Sequence, residues 1–141
     1  MFNRVVAILS ATVHLHKARR RIQCSGARGA LEMVSAAILA DTISSPRRAK
    51  QDLVRTFSAA QRLYPVRTEC LERSTGLATF LLSHGYPASI HLAVCRIAPH
   101  EFHCWVESED ACFGLPDSHA SHYVQFTPLG TQATTKGGAI T

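Results

Sequence analysis

The sequence has no apolar stretch that approaches the roughly 18 residues required by a membrane-spanning helix, so we expect no membrane span. It also has no internal repeat. The 141 residues are 46% hydrophobic and 18% charged, which excludes a disordered or collagen-like chain. The length predicts one domain with its own core. We place this domain at residues 1–129 and expect the polar, glycine-rich residues 130–141 to form a flexible tail.

No Cys-x-x-Cys motif occurs, and the number of cysteines is odd. The five cysteines are at positions 24, 70, 95, 104 and 112. A secreted disulfide framework is therefore not expected. Arg4 and the apolar run 5–9 could begin a signal peptide, but the run is short and basic residues follow where a cleavage site would need small ones. We predict a reducing, cytoplasmic environment.

Acidic residues are scarce in the first half of the chain. Residues 1–67 hold 12 Lys and Arg against 3 Asp and Glu, a net charge of +9, whereas residues 68–141 carry −4. A basic half can contact nucleic acid, an anionic membrane or an acidic polypeptide. Interleaved aromatics for base stacking are missing, so we predict no nucleic-acid binding and favour a solvated helix face partly paired with the acidic half.

Motifs for nucleotide and serine chemistry are also missing. There is no P-loop and no Gly-x-Gly-x-x-Gly, and neither Ser74 nor Ser83 stands in a Gly-x-Ser-x-Gly setting. Zinc-ligand types do occur, at Cys95, His100, His103, Cys104 and Cys112. Their spacings fit no finger or ribbon, and adjacent residues of a strand point to opposite faces. We therefore expect no metal and no cofactor.

Helical periodicity dominates the first 85 residues and predicts four helices. The first covers 2–22, ends before Gly26 and Gly29, and is followed by a second at about 30–43. The third begins at Ser45 and Pro46, an N-cap followed by proline, and runs to about 63. The fourth starts with Thr68 as N-cap and ends before Gly85, where a left-handed residue belongs. The expected apolar stripes are Val5, Leu9 and Val13; Leu31, Val34 and Ile38; Leu53, Phe57, Ala60 and Leu63; and Leu71, Thr75, Ala78 and Leu82.

Beyond residue 88 the hydrophobic period changes to two, which predicts strands at 90–95, 102–107, 111–113 and 123–127. The connecting segments suit antiparallel neighbours. Helices followed by a small antiparallel sheet define the α+β class.

Cys70 is the first candidate for catalysis because it lies in the first turn of a predicted helix. The positive end of the helix dipole stabilises a thiolate, which is the nucleophile of covalent acyl transfer. A buried structural cysteine is the alternative. His103, within a predicted strand, is the second candidate, because its two ring nitrogens could serve a thiol and a carboxylate. The alternative is an ordinary surface histidine.

A carboxylate that orients the imidazole would complete a triad, and either Asp110 or Asp117 could supply it. Asp110 falls in a predicted hairpin turn that leads away from His103. Asp117 follows the return strand and is favoured.

The chain order of Cys70, His103 and a following Asp resembles the transglutaminase-like cysteine-protease superfamily. A narrower resemblance, over residues 60–130, is to the lasso-peptide biosynthesis B proteins, which are leader peptidases. Their nucleophile helix reads Cys-Leu-x-Arg-Ser, as residues 70–74 do, and their strand reads His-Ala-Trp-Val-Glu, against His-Cys-Trp-Val-Glu at 103–107. Phe-Thr-Pro-Leu at 126–129 is similar to the closing strand.

This resemblance implies a nucleophile helix packed on a small antiparallel sheet, in a catalytic core at 61–129 preceded by a helical part at 1–60. It implies Cys70 as nucleophile, His103 as general base and acid, and Asp117 as the orienting acid. The implied partners are a precursor with a leader peptide, a separate leader-recognition protein and a lasso cyclase. Competing hypotheses are a transglutaminase-like amidase or acyltransferase and an inactive peptide-binding module.

Overall fold

The structure, a computed structural model, describes residues 2–40, 48–114 and 122–126, and within them it is α+β as predicted. Three helices pack on a four-stranded antiparallel sheet. The helices are α1 (Phe2–Leu39), α2 (Lys50–Leu63) and α3 (Cys70–Leu82). The strands are β1 (Ser89–Cys95), β2 (Phe102–Ser108), β3 (Ala111–Phe113) and β4 (Tyr123–Gln125).

Helix α1 is two helical arms joined at Gly26, whose φ of 57° and ψ of −145° are not helical. Arg21 and Glu32 form an ion pair of 3.7 Å, although eleven residues of continuous helix would separate them by about 16 Å. A Cβ atom at Gly29 would lie 2.6 Å from the carbonyl oxygen of Arg21. The chain therefore reverses at Gly26, which confirms the predicted break, and the glycine at 29 lets the arms approach closely.

Helix α2 begins later than the sequence predicts. Ala49 is its N-cap, with extended backbone and no side-chain cap, so a start at Pro46 is wrong; Ser45 and Pro46 themselves lie outside the described residues. The predicted end at Leu63 is confirmed, but Leu63 is 71% exposed. Tyr64 packs against the core in its place, because it follows Ala60 by four residues.

Helix α3 is capped by a different residue from the one predicted. Glu69, not Thr68, is the N-cap, because its carboxylate accepts from the backbone N–H of Glu72 while the Glu72 side chain accepts from the backbone N–H of Glu69. This reciprocal pair is a capping box. At the other end Gly85 has the predicted left-handed conformation, with φ of 81°, and the N–H of Tyr86 reaches the Leu81 carbonyl.

The strand order is β3-β2-β1-β4, so β1 and β2 are the central pair. Ala93 pairs with His103 and Leu92 with Cys104, which places the residues of each pair on one face of the sheet. The first three predicted strands are confirmed to within one residue. The fourth, predicted at 123–127, ends at Gln125, and residue 127 lies outside the described ranges. Strand alternation puts Phe102 on the same face as Cys104, yet Phe102 is 70% exposed at the first position of the strand.

The core lies on both sides of α3, which packs between α1 and the two central strands. Its largest fully buried side chains include Phe80 and Leu81 of α3, Leu15 of α1 and Val106 of β2. Burial of such side chains is worth about 1.5–3 kcal/mol each. Helix α3, which begins with Cys70, is thus held from both faces.

Among the residues that the structure describes, an ion pair joins the basic and acidic halves of the chain. The Nζ atom of Lys50 lies 2.6 Å from the Glu109 carboxylate and also donates to the Ser108 carbonyl. Within the described ranges, no helix has the length and hydropathy to cross a membrane.

Candidate active site

The Cys70 side chain occupies the first position of α3, where backbone N–H groups have no partner within the helix. It is half-buried. The pKa of this thiol is lowered to about 6, first by a hydrogen bond from the Cys104 thiol, and further by the charge of His103, the Cys104 backbone N–H and Arg73; burial opposes the shift. Cys70 is therefore mostly a thiolate near neutral pH, and the main cause is its contact with Cys104 rather than the helix start on which the sequence prediction relied.

Cys104 reaches Cys70 from the inner face of β2. Its side chain is only 3% exposed. Its hydrogen bond to Cys70 and its burial raise the pKa of the Cys104 thiol far above the ordinary value, so this group keeps its proton. The Oγ atom of Ser74, one turn after Cys70, donates to the Cys104 carbonyl at 3.3 Å. This bond ties the first turn of α3 to the strand.

His103 lies near the start of β2 and is fixed by a backbone group. Its Nε2 atom is 2.8 Å from the carbonyl oxygen of Gly114. A carbonyl oxygen can only accept, so Nε2 carries a proton and Nδ1 is the nitrogen left for proton transfer. His103 is close enough to Cys70 for its charge to lower the pKa of the thiol.

A single cavity of about 340 Å³ contains these groups. Its lining combines the thiols of Cys70 and Cys104 with the His103 ring, Arg73 and an apolar wall from α2. The remaining lining residues are Val54, Phe57, Ser58, Gln61, Ser74, Leu77, Cys112, Phe113 and Gly114. A cleft that brings together a low-pKa nucleophile and an imidazole has the groups required for acyl transfer.

Aromatic rings on the outer face of the sheet flank His103. Trp105 stacks with His103 at a centroid distance of 6.5 Å and with His91 at 5.5 Å, and Tyr123 lies 5.7 Å from the His103 ring. The Trp105 indole N–H donates to Glu107 at 2.9 Å. Trp105 of the His-Cys-Trp-Val-Glu segment, held by Glu107, thus packs against the His103 ring.

The structure brings Cys70 and His103 to one cavity, and of the two candidate aspartates it describes only Asp110. Asp117 lies outside the described residues. Asp110 is exposed in the turn between β2 and β3, and about five strand residues, or roughly 16 Å, separate the start of that turn from His103. Asp110 is therefore not in contact with the imidazole.

Two groups that contact the candidate catalytic residues were not identified from the sequence: the Gly114 carbonyl and the Cys104 thiol. The Gly114 carbonyl carries no side-chain signal, because any residue provides a carbonyl. Cys104 could have been found: strand alternation turns it toward the helices, and the helix on that face begins with Cys70. In the described part of the chain, no group of three or more His, Cys, Asp or Glu side chains is placed to hold a metal ion.

The family model described as the transglutaminase-like superfamily matches residues 9–131. This match spans most of the chain, both helix α3 and the sheet, so the protein belongs to the transglutaminase-like superfamily. Comparisons with curated proteins and with solved structures give no significant match.

Proposed function

We propose that the protein is a cysteine peptidase that removes the leader peptide from a lasso-peptide precursor. The observation that carries this proposal is the placement of the Cys70 thiol, with its low pKa, in one cavity with a His103 ring held by Gly114. Family membership supports thiol-dependent acyl transfer in general. The Cys-Leu-x-Arg-Ser and His-x-Trp-Val-Glu segments support the narrower substrate.

The proposed reaction uses the two nitrogens of His103 for different tasks. The starting state is the ion pair of the Cys70 thiolate and the His103 imidazolium, in which both ring nitrogens carry a proton. The thiolate attacks the carbonyl carbon of the last leader residue, and Nδ1–H of His103 gives its proton to the departing amine of the core peptide, which leaves Nδ1 as a free base. The thioester that remains on the leader is hydrolysed when Nδ1 takes a proton from water. Throughout, Nε2–H stays on the Gly114 carbonyl and keeps the ring oriented.

The proposed partner of this chain is a separate leader-recognition protein, and the proposed recipient of the freed core peptide is a lasso cyclase. The first arm of α1 supports a docking surface, which we define as Val5, Leu9 and Val13. These side chains are 55%, 59% and 49% exposed, although they recur at helical spacing. Leu31 of the second arm is 42% exposed, whereas Val34 is buried, so that stripe belongs largely to the core.

The test is incubation of the protein with a precursor peptide, followed by mass spectrometry. We expect a free leader acid and a free core amine from the wild type. Cys70→Ala should give neither product, whereas Cys24→Ala, an exposed cysteine of α1, is the matched control and should cleave normally. Near-normal cleavage by Cys70→Ala would refute the mechanism.

An added primary amine separates hydrolysis from transamidation. If the leader is recovered as an amide of that amine, the protein is an acyltransferase and the peptidase proposal is wrong. Recovery of the free acid supports the peptidase. Intact precursor with the wild type, at any concentration of recognition protein, would favour an inactive peptide-binding module.

A further inference from the structure

Two thiols with opposite properties meet at the start of α3. Cys70 is half-buried, lines the cavity and has a pKa lowered to about 6. Cys104 is nearly inaccessible and holds its proton. The Cys104 thiol donates a hydrogen bond to the Cys70 sulfur, and the Cys104 backbone N–H also reaches that sulfur. One thiol is thus reactive, and its neighbour is sheltered and in contact with it.

The peptidase reaction leaves Cys104 without a chemical step of its own. Its thiol stays protonated beside the Cys70 thiolate and cannot compete with it as a nucleophile. Small oxidants that enter the cavity meet Cys70 first, because thiolates react and buried thiols do not. The contact between the two sulfurs lowers the pKa of Cys70, and it gains a second, chemical role when Cys70 is oxidised.

From this geometry we propose that Cys70 and Cys104 form a reversible redox pair: a hydroperoxide oxidises Cys70, and Cys104 then closes a disulfide that a dithiol reopens. The inference rests on the proposed function only through the reactivity of Cys70. Its readout is mass rather than peptide cleavage, so the two proposals can fail separately.

The first step is a two-electron oxidation. The Cys70 thiolate attacks one oxygen of the hydroperoxide, the O–O bond breaks, and the second oxygen leaves as hydroxide or alkoxide. Cys70 becomes a sulfenic acid. This product is neutral, so the negative charge that kept the Cys104 proton in place is removed.

The second step forms the sulfur–sulfur bond. The Cys104 sulfur attacks the Cys70 sulfur, the S–O bond breaks, and the hydroxyl group leaves as water with the proton of the Cys104 thiol. The disulfide blocks the nucleophile, but it also prevents irreversible oxidation to the sulfinic or sulfonic acid. A dithiol then restores both thiols by exchange.

In the experiment, the full chain is oxidised to completion with a small excess of hydrogen peroxide. Mass spectrometry of the intact chain and of its proteolytic peptides follows, before and after treatment with dithiothreitol. We expect the wild type to lose two hydrogen atoms, to yield a peptide pair linked through Cys70 and Cys104, and to recover both free thiols. Cys104→Ala should instead gain two or three oxygens at Cys70, with less than about a tenth of the thiol recovered.

Reversibility, rather than rate, is compared, because loss of the Cys104 hydrogen bond also changes the reactivity of Cys70. Cys112→Ala is the matched control, since Cys112 lines the same cavity, and it should behave as the wild type. Circular dichroism checks that each variant is folded, and Cys104→Ser provides a second variant. A wild type that over-oxidises at Cys70, or that links Cys70 to Cys95 or Cys112, would overturn the proposal.

Discussion

The Nε2 atom of His103 donates to the Gly114 carbonyl over 2.8 Å, so a backbone group beside β3 selects the tautomer of the candidate base. No substitution of a side chain can remove this acceptor. An aspartate in a triad normally performs the same selection. The ring orientation at this site therefore has at least one determinant that is independent of any carboxylate.

This relationship sets the expected order of effects among the triad variants. His103→Ala should lose precursor cleavage about as completely as Cys70→Ala, since the two groups act as a unit. Asp117→Asn should cost less in kcat/KM than either of these changes, because the Gly114 carbonyl already holds Nε2–H and orients the ring. Asp110→Asn is the control and should be mild, because Asp110 lies in the far turn of the hairpin. A larger loss for Asp110→Asn than for Asp117→Asn would reverse the assignment.

The second prediction concerns the titration of Cys70. Alkylation of this residue by iodoacetamide, followed by peptide mass mapping, should have its midpoint near pH 6, because the pKa is lowered to about 6. Cys104→Ala should move the midpoint upward, since the Cys104 thiol supplies the largest contribution to the shift. Cys112→Ala should leave it in place. A midpoint that does not respond to Cys104→Ala would contradict the contact between the thiols.

Acid should destabilise the fold through His14. Its Nδ1 atom lies 3.1 Å from the Thr79 hydroxyl, and burial, followed by Lys17 and His84, lowers its pKa from 6.5 to about 4. The unfolded chain therefore binds a proton at a higher pH than the folded chain. The stabilisation is complete above pH 6.5 and is lost as the pH falls to about 4.

Urea unfolding between pH 7 and pH 4 measures this loss. His14→Gln should flatten the dependence of the unfolding free energy on pH. His16→Gln, an exposed residue of the same arm, is the control and should retain the wild-type slope. If both variants keep that slope, His14 is not the group responsible.

A single methyl group at Gly76 should destabilise the protein. A Cβ atom there would lie 3.0 Å from Cζ of Phe57 and 3.1 Å from Cα of Leu15, both in the buried core. Alanine favours helix by about 1 kcal/mol over glycine, but overpacking typically costs about 1–3 kcal/mol. Because the Leu15 backbone cannot move aside as a flexible side chain can, we expect Gly76→Ala to be less stable in urea unfolding.

The control for this change is Gln51→Ala on the exposed surface of α2, which should stay within about 0.5 kcal/mol of the wild type. If Gly76→Ala raised the free energy of unfolding, α1 would be able to move away from α3 more easily than the packing indicates.

The last prediction concerns the recognition protein. An untethered leader pays an ordering cost that a docked recognition domain reduces by raising the local concentration of the scissile bond. We expect that protein to accelerate cleavage by at least about tenfold, or about 1.4 kcal/mol, below saturating precursor. Leu9→Gln in the docking surface should remove most of the acceleration. Leu39→Gln, an exposed leucine at the end of α1, should not. Equal rates with and without the protein would show unaided recognition.

Much of this architecture follows from periodicity. The change from a helical to a two-residue period marks the boundary between α3 and β1. The cap at Gly85 could be predicted because only a residue in the left-handed conformation fits there. Local capping signals were less decisive. Thr68 is the better N-cap by propensity, yet Glu69 is the cap because of its reciprocal bonds with Glu72, which propensity alone does not reveal.

The site could be predicted only in part for a similar reason. The helix-start position suggested Cys70 and the strand placement suggested His103, and the structure places both at one cavity. The groups that tune them are a backbone carbonyl and a thiol on a different element. Their roles depend on how closely α3 approaches β2, which is a tertiary property.

The reversal of α1 at Gly26 also bears on how the chain can be divided. Its first arm contributes Ala11, Leu15 and Ala18, all without solvent exposure, and Leu15 lies directly against Gly76 of α3. The amino-terminal helices are therefore part of the same packed unit as α3 and the sheet rather than a removable appendage. A shortened chain that begins near residue 60 would expose the back of α3 to water, and Cys70 would lose the surface that holds its helix in place.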